Sequence, residues 1–272
     1  MRKSSSLKLV SMAFLIAFSM VIFSTGCGDG DAFAGGGGGG GGPIVPPLGA
    51  AGGCAVLSAT PVLSNTGPTV VTGADMCISP ALSFTGWAAI DAGPGVLTPP
   101  GLFRAPTGLI CVQCGPDPDP IPAQAQLDWI TAYNNLVARP SIPIAADLSG
   151  LTLTPGVYKA SSTLGILSVA PGPLSIVTLD GLGDANAVFV FQVGSALTTV
   201  TGTQVKLTNG TQAKNVFWAC GSAATLGVNS IFNGNILATT DITVATGAVV
   251  NGRLQAHTGQ VNLDSNLITV AP

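Results

Sequence analysis

The sequence predicts an all-β fold, a solenoid of short stacked strands on three faces, with one long α-helix packed alongside. Two repeats and one exception predict it. The block Phe191-Gln192-Val193-Gly194-Ser195-Ala196-Leu197-Thr198 returns 27 positions later as Trp218-Ala219-Cys220-Gly221-Ser222-Ala223-Ala224-Thr225, and Asn233-Gly234 returns 18 positions later as Asn251-Gly252. Eighteen residues divide into three faces of about six, each a short strand and a corner. A chain coiled this way stacks its strands ~4.8 Å apart and turns inward Val, Ile and Leu into one continuous core. The 27-residue step is then a coil with a longer corner. The exception is a single stretch with helical periodicity, Pro122 to Pro140.

The segments justify this reading in chain order. Residues 1–26 carry Arg2, Lys3 and Lys8, then the apolar run Leu9 to Phe23, then the small residues Ser24, Thr25 and Gly26. This is the layout of an export signal, and the run is shorter than the ~20 residues a spanning helix needs. Cys27 follows a small residue as in the bacterial lipobox, with Ser24 where Leu usually stands. That predicts a lipid anchor at Cys27 and a chain exported to the outer membrane or cell surface; ordinary cleavage and secretion are the alternative. Residues 27–53 are rich in Gly and Pro, with consecutive glycines from Gly35 to Gly42. Polyglycine has no side chains to bury and the phosphate-cradling G-x-x-x-x-G-K pattern is missing, so a tether is expected, and a folded domain over 54–272.

Beyond Cys27 the cysteines are Cys54, Cys77, Cys111, Cys114 and Cys220. An odd number leaves at least one unpaired or shared between chains, and the pairing stays open. Cys111-Val112-Gln113-Cys114 has the spacing of a redox or zinc half-site. It lacks a second such pair and a βαβ context, and a Pro-rich loop follows, so a structural disulfide is expected. In the helical stretch, Leu127, Ile130, Ala132, Leu136 and Val137 form an apolar stripe, expected to lie lengthwise on something flat. In the repeats, alternation turns Ala224, Leu226, Ile242, Val244, Val261 and Leu263 inward. An outer-membrane barrel also alternates, but it needs strands of ~10 residues and aromatic girdles.

Composition narrows the function. Every acid is Asp and the single histidine is His257, which reads as a solvated turn residue. Asp117 and Asp119 sit between prolines, without the repeat of calcium-binding solenoids. General acid/base or metal chemistry has little to be built from, so no enzyme, cofactor or metal site is expected. Removing Arg2, Lys3 and Lys8 leaves six basic groups against twelve Asp, which disfavours nucleic acid. Oligomeric state is left open.

The blocks NTGPTVVTGADMCISP (65–80), AQAQLDWITAYNNLVARP (123–140), DLSGLTLTPGVY (147–158), DANAVFVFQVGSALTT (184–199), NVFWACGSAATLG (215–227) and IFNGNILATTDITVATGAVVNGRLQAHTGQVNLDSNLIT (231–269) resemble, in order, the microbial ice-binding domain. The resemblance implies a right-handed, triangular, discontinuous β-solenoid with a helix alongside, and N-terminal strands lying beside the last coils. It also implies an exported, non-enzymatic protein whose partner is the ice crystal surface.

The family's usual pattern is T-G/A-x-T/N on one flat face. Steps of 27, 18 and 18 from Thr201 give the rows Thr201-Gly202-Thr203-Gln204, Val228-Asn229-Ser230-Ile231, Thr246-Gly247-Ala248-Val249 and Asp264-Ser265-Asn266-Leu267; Thr66-Gly67-Pro68-Thr69 is a fifth and the only full match. The resemblance thus nominates Thr66, Thr69, Thr201, Thr203, Gln204, Asn229, Ser230, Thr246, Ala248, Val249 and Ser265 for ice contact. A rigid array of hydroxyls and methyls can hold water in a lattice-like layer with little entropy left to lose. Val228 departs from the pattern at the first position, and Gln204, Ile231, Val249 and Leu267 at the fourth. These departures imply weak or moderate ice activity, or a flat face turned to another extended surface, as in an adhesive module.

Overall fold

The computed structural model describes residues 43–60, 62–109, 111–167 and 175–271. The export signal, Cys27 and the glycine tract lie outside the described residues. Parallel strands form three sheets. Face A runs Ile142–Pro143, Gly156–Ala160, Phe189–Val193, Val216–Cys220, Asn235–Ala238, Leu254–Ala256, Cys54–Ser58, Asp75–Ile78, Phe103–Arg104. Face B runs Leu164–Ile166, Leu197–Thr199, Ala224–Leu226, Ile242–Val244, Val261–Leu263, Leu63–Asn65, Phe84–Thr85. Face C runs Thr152–Leu153, Ile176–Asp180, Gln204–Thr208, Ile231–Asn233, Val249–Asn251, Leu267–Thr269, Val70–Thr72, Val96–Leu97. The solenoid is discontinuous as expected: the chain's first coil stacks on its last, pairing Val56 with Leu254, Ser64 with Asn262 and Val70 with Leu267.

The repeat steps follow from the coils. Trp218 pairs with Ile236 and Ile236 with Leu254, each 18 positions on, whereas Phe191 pairs with Trp218, 27 on. The extra residues lie between Thr208 and Val216, where a 3-10 turn, Ala213–Asn215, lengthens the corner between faces C and A. The repeated Asn-Gly sits at that same corner. Gly234 and Gly252 stack with φ of 124° and 145°, and a Cβ on Gly252 would meet the Gly234 carbonyl oxygen at 2.0 Å. Only glycine fits so close an approach at positive φ.

Inside, Ala224, Leu226, Ile242, Val244, Val261 and Leu263 are all buried, as alternation requires. Phe191 stacks on Trp218 with ring centroids 4.0 Å apart, between Tyr158 and Phe232. Cys54 pairs with Cys77 and Cys111 with Cys114. Among the described cysteines Cys220 is the free thiol, buried, with its pKa pushed up to about 12 by desolvation, which suppresses the reactive thiolate.

Face A is covered on its outside too. The helix Ile121–Val137 lies on it, so Phe189–Val193 and Val216–Cys220 are buried at every position. Asp119 accepts the Ile121 N–H at 3.0 Å at the helix start, and Gln192 Nε2 donates to the Leu136 and Arg139 carbonyls at its end. The expected stripe is corrected here. Leu127, Ile130 and Val137 are exposed, and the buried line is Ala125, Trp129, Ala132 and Leu136, spaced four, three and four. Small alanines on either side of one large ring let a helix lie flat on a sheet. The folded unit also starts before Cys54: Gly49–Gly53 forms a 3-10 turn on the helix, with Ala51 buried and the Ala50 N–H donating to Asp128 at 2.7 Å.

His257 is not a solvated turn residue. Its ring stacks on Trp129 at 4.7 Å and its Nδ1 lies 3.0 Å from Gln126 Oε1. Desolvation lowers its pKa from 6.5. The unfolded chain therefore binds the proton first as pH falls, so this group's contribution is full above the unfolded value and is lost below it. We expect the melting temperature to drop as pH falls from about 7.5 through the lowered folded-state value, and the drop to shrink in His257→Gln.

Candidate functional site

Among the described residues, no helix covers the outer sides of faces B and C. On face B each strand of three residues turns its ends inward and its middle outward, and parallel pairing puts the middles in register. Thr198 pairs with Thr225, Thr225 with Thr243, Thr243 with Asn262, Asn262 with Ser64 and Ser64 with Thr85. The result is a straight ladder of hydroxyls and one amide at ~4.8 Å per rung. It is flat because the inward flanks Leu197, Ala224, Ile242, Val261 and Leu63 are locked in the core. Ser64 Oγ donates to Asn262 Oδ1 at 2.6 Å, which fixes that pair of rungs.

Two further columns flank the ladder. At the corner with face A stand Ser195, Ser222, Thr240 and Thr258; the Ser195 and Ser222 hydroxyls lie 3.4 Å apart. At the corner with face C stand Thr201, Val228 and Thr246, all exposed. The carboxylates on these rims are Asp241 and Asp264. Asp264 accepts from the Thr246 hydroxyl and from Ser265 Oγ, and these bonds hold its pKa below the ordinary carboxylate value. Its charge is thus tied into the corner. Among the described residues no group of three or more His, Cys, Asp or Glu could hold a metal ion.

The nominated rows do not lie on one face; they wrap the corner between B and C. Their second residues, Gly202, Asn229, Gly247 and Ser265, take φ of 72°, 53°, 73° and 54°. That left-handed turn bends the chain and swings the next side chain inside. Thr203, Ser230 and Ala248 are therefore fully buried, as is Thr69 in the fifth row, and none of the four can touch an external surface. Thr203 Oγ1 donates to the Val200 carbonyl at 2.8 Å, and Thr69 Oγ1 accepts the Asn266 N–H at 3.0 Å. Ser230 Oγ finds no partner among the described residues. Gln204 and Val249 come next and face outward on face C. Of the nominated set, Thr201, Thr246 and Thr66 stand on the rim of face B, while Asn229 and Ser265 form the corner tip.

The ladder itself was missed, although its signal was present. The expected inward pairs Ala224 and Leu226, Ile242 and Val244, and Val261 and Leu263 bracket Thr225, Thr243 and Asn262, which the pleat must then turn outward. Val228 is the apolar interruption in the corner column, 37% exposed. Val228→Thr should leave stability within ~0.5 kcal/mol, since exposed substitutions are usually mild. It should raise freezing-point hysteresis, read by nanolitre osmometry, if this column belongs to the working surface.

The known proteins similar to this chain share one family and one fold. The profile of the family described as Ice-binding-like matches residues 56–269. An ice-binding protein of Nostoc sp. (strain HG1) is 42% identical over 227 residues, which are 82% of this chain and 74% of that protein. The crystal structure of an ice-binding protein from an Antarctic biological consortium superposes with a TM-score of 0.71 at 36% identity, covering 84% of this chain and 94% of the other. That of the ascomycete Antarctomyces psychrotrophicus gives 0.70 at 36%, covering 84% and 100%.

Proposed function

The chain belongs to the ice-binding-like family, and from that premise we propose that it adsorbs to ice through face B, with no chemical step. One observation carries the choice of face: Thr198, Thr225, Thr243, Asn262, Ser64 and Thr85 stand in register on a flat sheet, with Asp241 and Asp264 at its corners and Asp147 beyond the Gly165 end of the ladder. Ice offers no pocket-filling group and no charge, so recognition comes from area and regularity. Hydroxyls at constant spacing on an immobile backbone order a water layer before contact, which leaves little entropy to lose on freezing in. The covered face A cannot serve, because the helix occupies it. The test is capture of the full chain by slowly growing ice, together with shaping of the crystal. A folded chain excluded from the ice would overturn this reading.

We also propose that the chain is exported and held to a membrane through a lipid on Cys27. The supporting features are the basic, apolar and small-residue order of residues 1–26 and the cysteine directly after Gly26. Each buried methylene of an acyl chain adds ~0.8 kcal/mol of membrane affinity. Cys27→Ala should move the protein from the membrane to the soluble fraction of the producing cells. Persistence in the membrane fraction would count against the anchor.

A further inference from the structure

Face C carries a second in-register column that the ladder on face B does not explain. Gln204 pairs with Ile231, Ile231 with Val249, Val249 with Leu267, Leu267 with Val70 and Val70 with Val96. All point outward, and Ile231, Leu267 and Val96 are 41%, 44% and 46% exposed. Five apolar side chains in a straight line on an open face are out of place for a surface that only needs solvation. The next outward column is polar and held: Asn251 Nδ2 donates to Asn233 Oδ1 at 2.9 Å, and Asn233 Nδ2 to the Val205 carbonyl at 2.6 Å.

We propose that face C is a second ice-contact surface, set at an angle to face B across their common corner, so that one molecule engages two different crystal planes. The proposal rests on the ice-binding reading of face B. Three observations commit the column to ice. It has the same rung spacing as the ladder, because both are fixed by the hydrogen-bonded spacing of the same coils. It is continuous with the ladder through Thr201, Val228 and Thr246, which stand on the shared rim. It is also too small for a protein partner: seven rungs, counting Ile176 beside Gln204, at ~4.8 Å and a width of about 10 Å cover roughly 340 Å², against the ~800 Å² per partner that a stable protein interface buries. Methyl groups in a fixed row impose a cage-like order on the water over them, and a crystal plane of matching repeat can complete that order. The uncharged column suits this, since a strongly hydrated ion would break such a layer. Lys206, two positions after Gln204, stands in the neighbouring column with Asn233 and Asn251 and outside the apolar one.

The experiment is ice-plane decoration of a single-crystal hemisphere by the full chain carrying a C-terminal fluorescent protein. Three proteins are compared: the unaltered chain, the double variant Ile231→Lys with Leu267→Lys, and the double variant Thr225→Tyr with Thr243→Tyr. The proposal expects two sets of decorated planes for the unaltered chain, loss of one set in the lysine variant, and loss of the other in the tyrosine variant. Melting temperatures establish that each variant is folded; if the lysine variant is not, Ile231→Asn with Leu267→Asn takes its place. An unchanged pattern in the folded face C variant overturns the proposal and leaves the face B reading standing. Loss of all planes in the tyrosine variant alone also overturns it. Absence of any decoration by the unaltered chain overturns both. A dimer in solution that the lysine variant dissociates overturns it as well, and assigns the column to a second copy of the chain.

Discussion

Freezing-point hysteresis should fall sharply when Thr225 and Thr243 are both replaced by Tyr, as adsorption weakens roughly tenfold or more, a loss of about 1.4 kcal/mol or greater. These residues are the central exposed rungs of the face B ladder and pair with each other directly. A tyrosine ring rises above its hydroxyl neighbours, and a flat, rigid solid cannot move aside to accommodate it. The contact is then lost along neighbouring rungs as well as at the substituted one. Stability should hold within ~0.5 kcal/mol, because both side chains lie outside the core and aromatic residues suit strands. The measurement is osmometry on the purified variant next to its thermal melt. Full hysteresis with a normal melt would remove face B from the working surface.

The second large effect is on stability. Trp129→Ala should cost ~3–5 kcal/mol, the range for deleting a large buried aromatic side chain. Trp129 is 2% exposed, stacked between Tyr133 and His257, and its Nε1 donates to the Gln255 carbonyl at 3.3 Å. It is the largest side chain on the helix line that seals face A. With a domain of this size losing ~2–4 °C per kcal/mol, the melting temperature should fall by about 6–20 °C. Leu127→Ala is the matched control. Leu127 is 58% exposed on the same helix and its loss should move the melt by no more than a degree or two. Equal effects at the two positions would mean that the helix is rotated about its axis relative to the packing described above.

These two experiments also mark how far the sequence could be read. The coil period was legible because stacking is periodic and the period survives in the residues: 18 positions separate Trp218 from Ile236 and Ile236 from Leu254. The inward set was legible for the same reason, since a pleated strand alternates. The helix was legible as an element but not as a face. Leu127 and Val137 are more apolar than Ala125 and Ala132, yet the alanines are the ones that meet the sheet. Hydrophobicity ranks side chains one at a time, whereas a helix resting on a flat sheet selects for shape.

The site divides along the same line. Composition alone left little from which to build a reaction centre, since the chain has one histidine, no glutamate and a sparse, dispersed set of charges. Repeats and family blocks determined a solenoid with threonine-bearing rungs. Only the tertiary structure decided which outward residues share a plane. A corner is a local change of φ at Gly202, Asn229, Gly247 and Ser265, and it leaves the residue before it on the rim of face B, sends the residue after it to the core and the next one to face C. Sequence spacing is identical for all three destinations. That is why Thr201 stayed at the candidate surface, Thr203 went inside and Gln204 moved to another face, while Thr198 joined Thr225 and Thr243 in a ladder through pairings between coils.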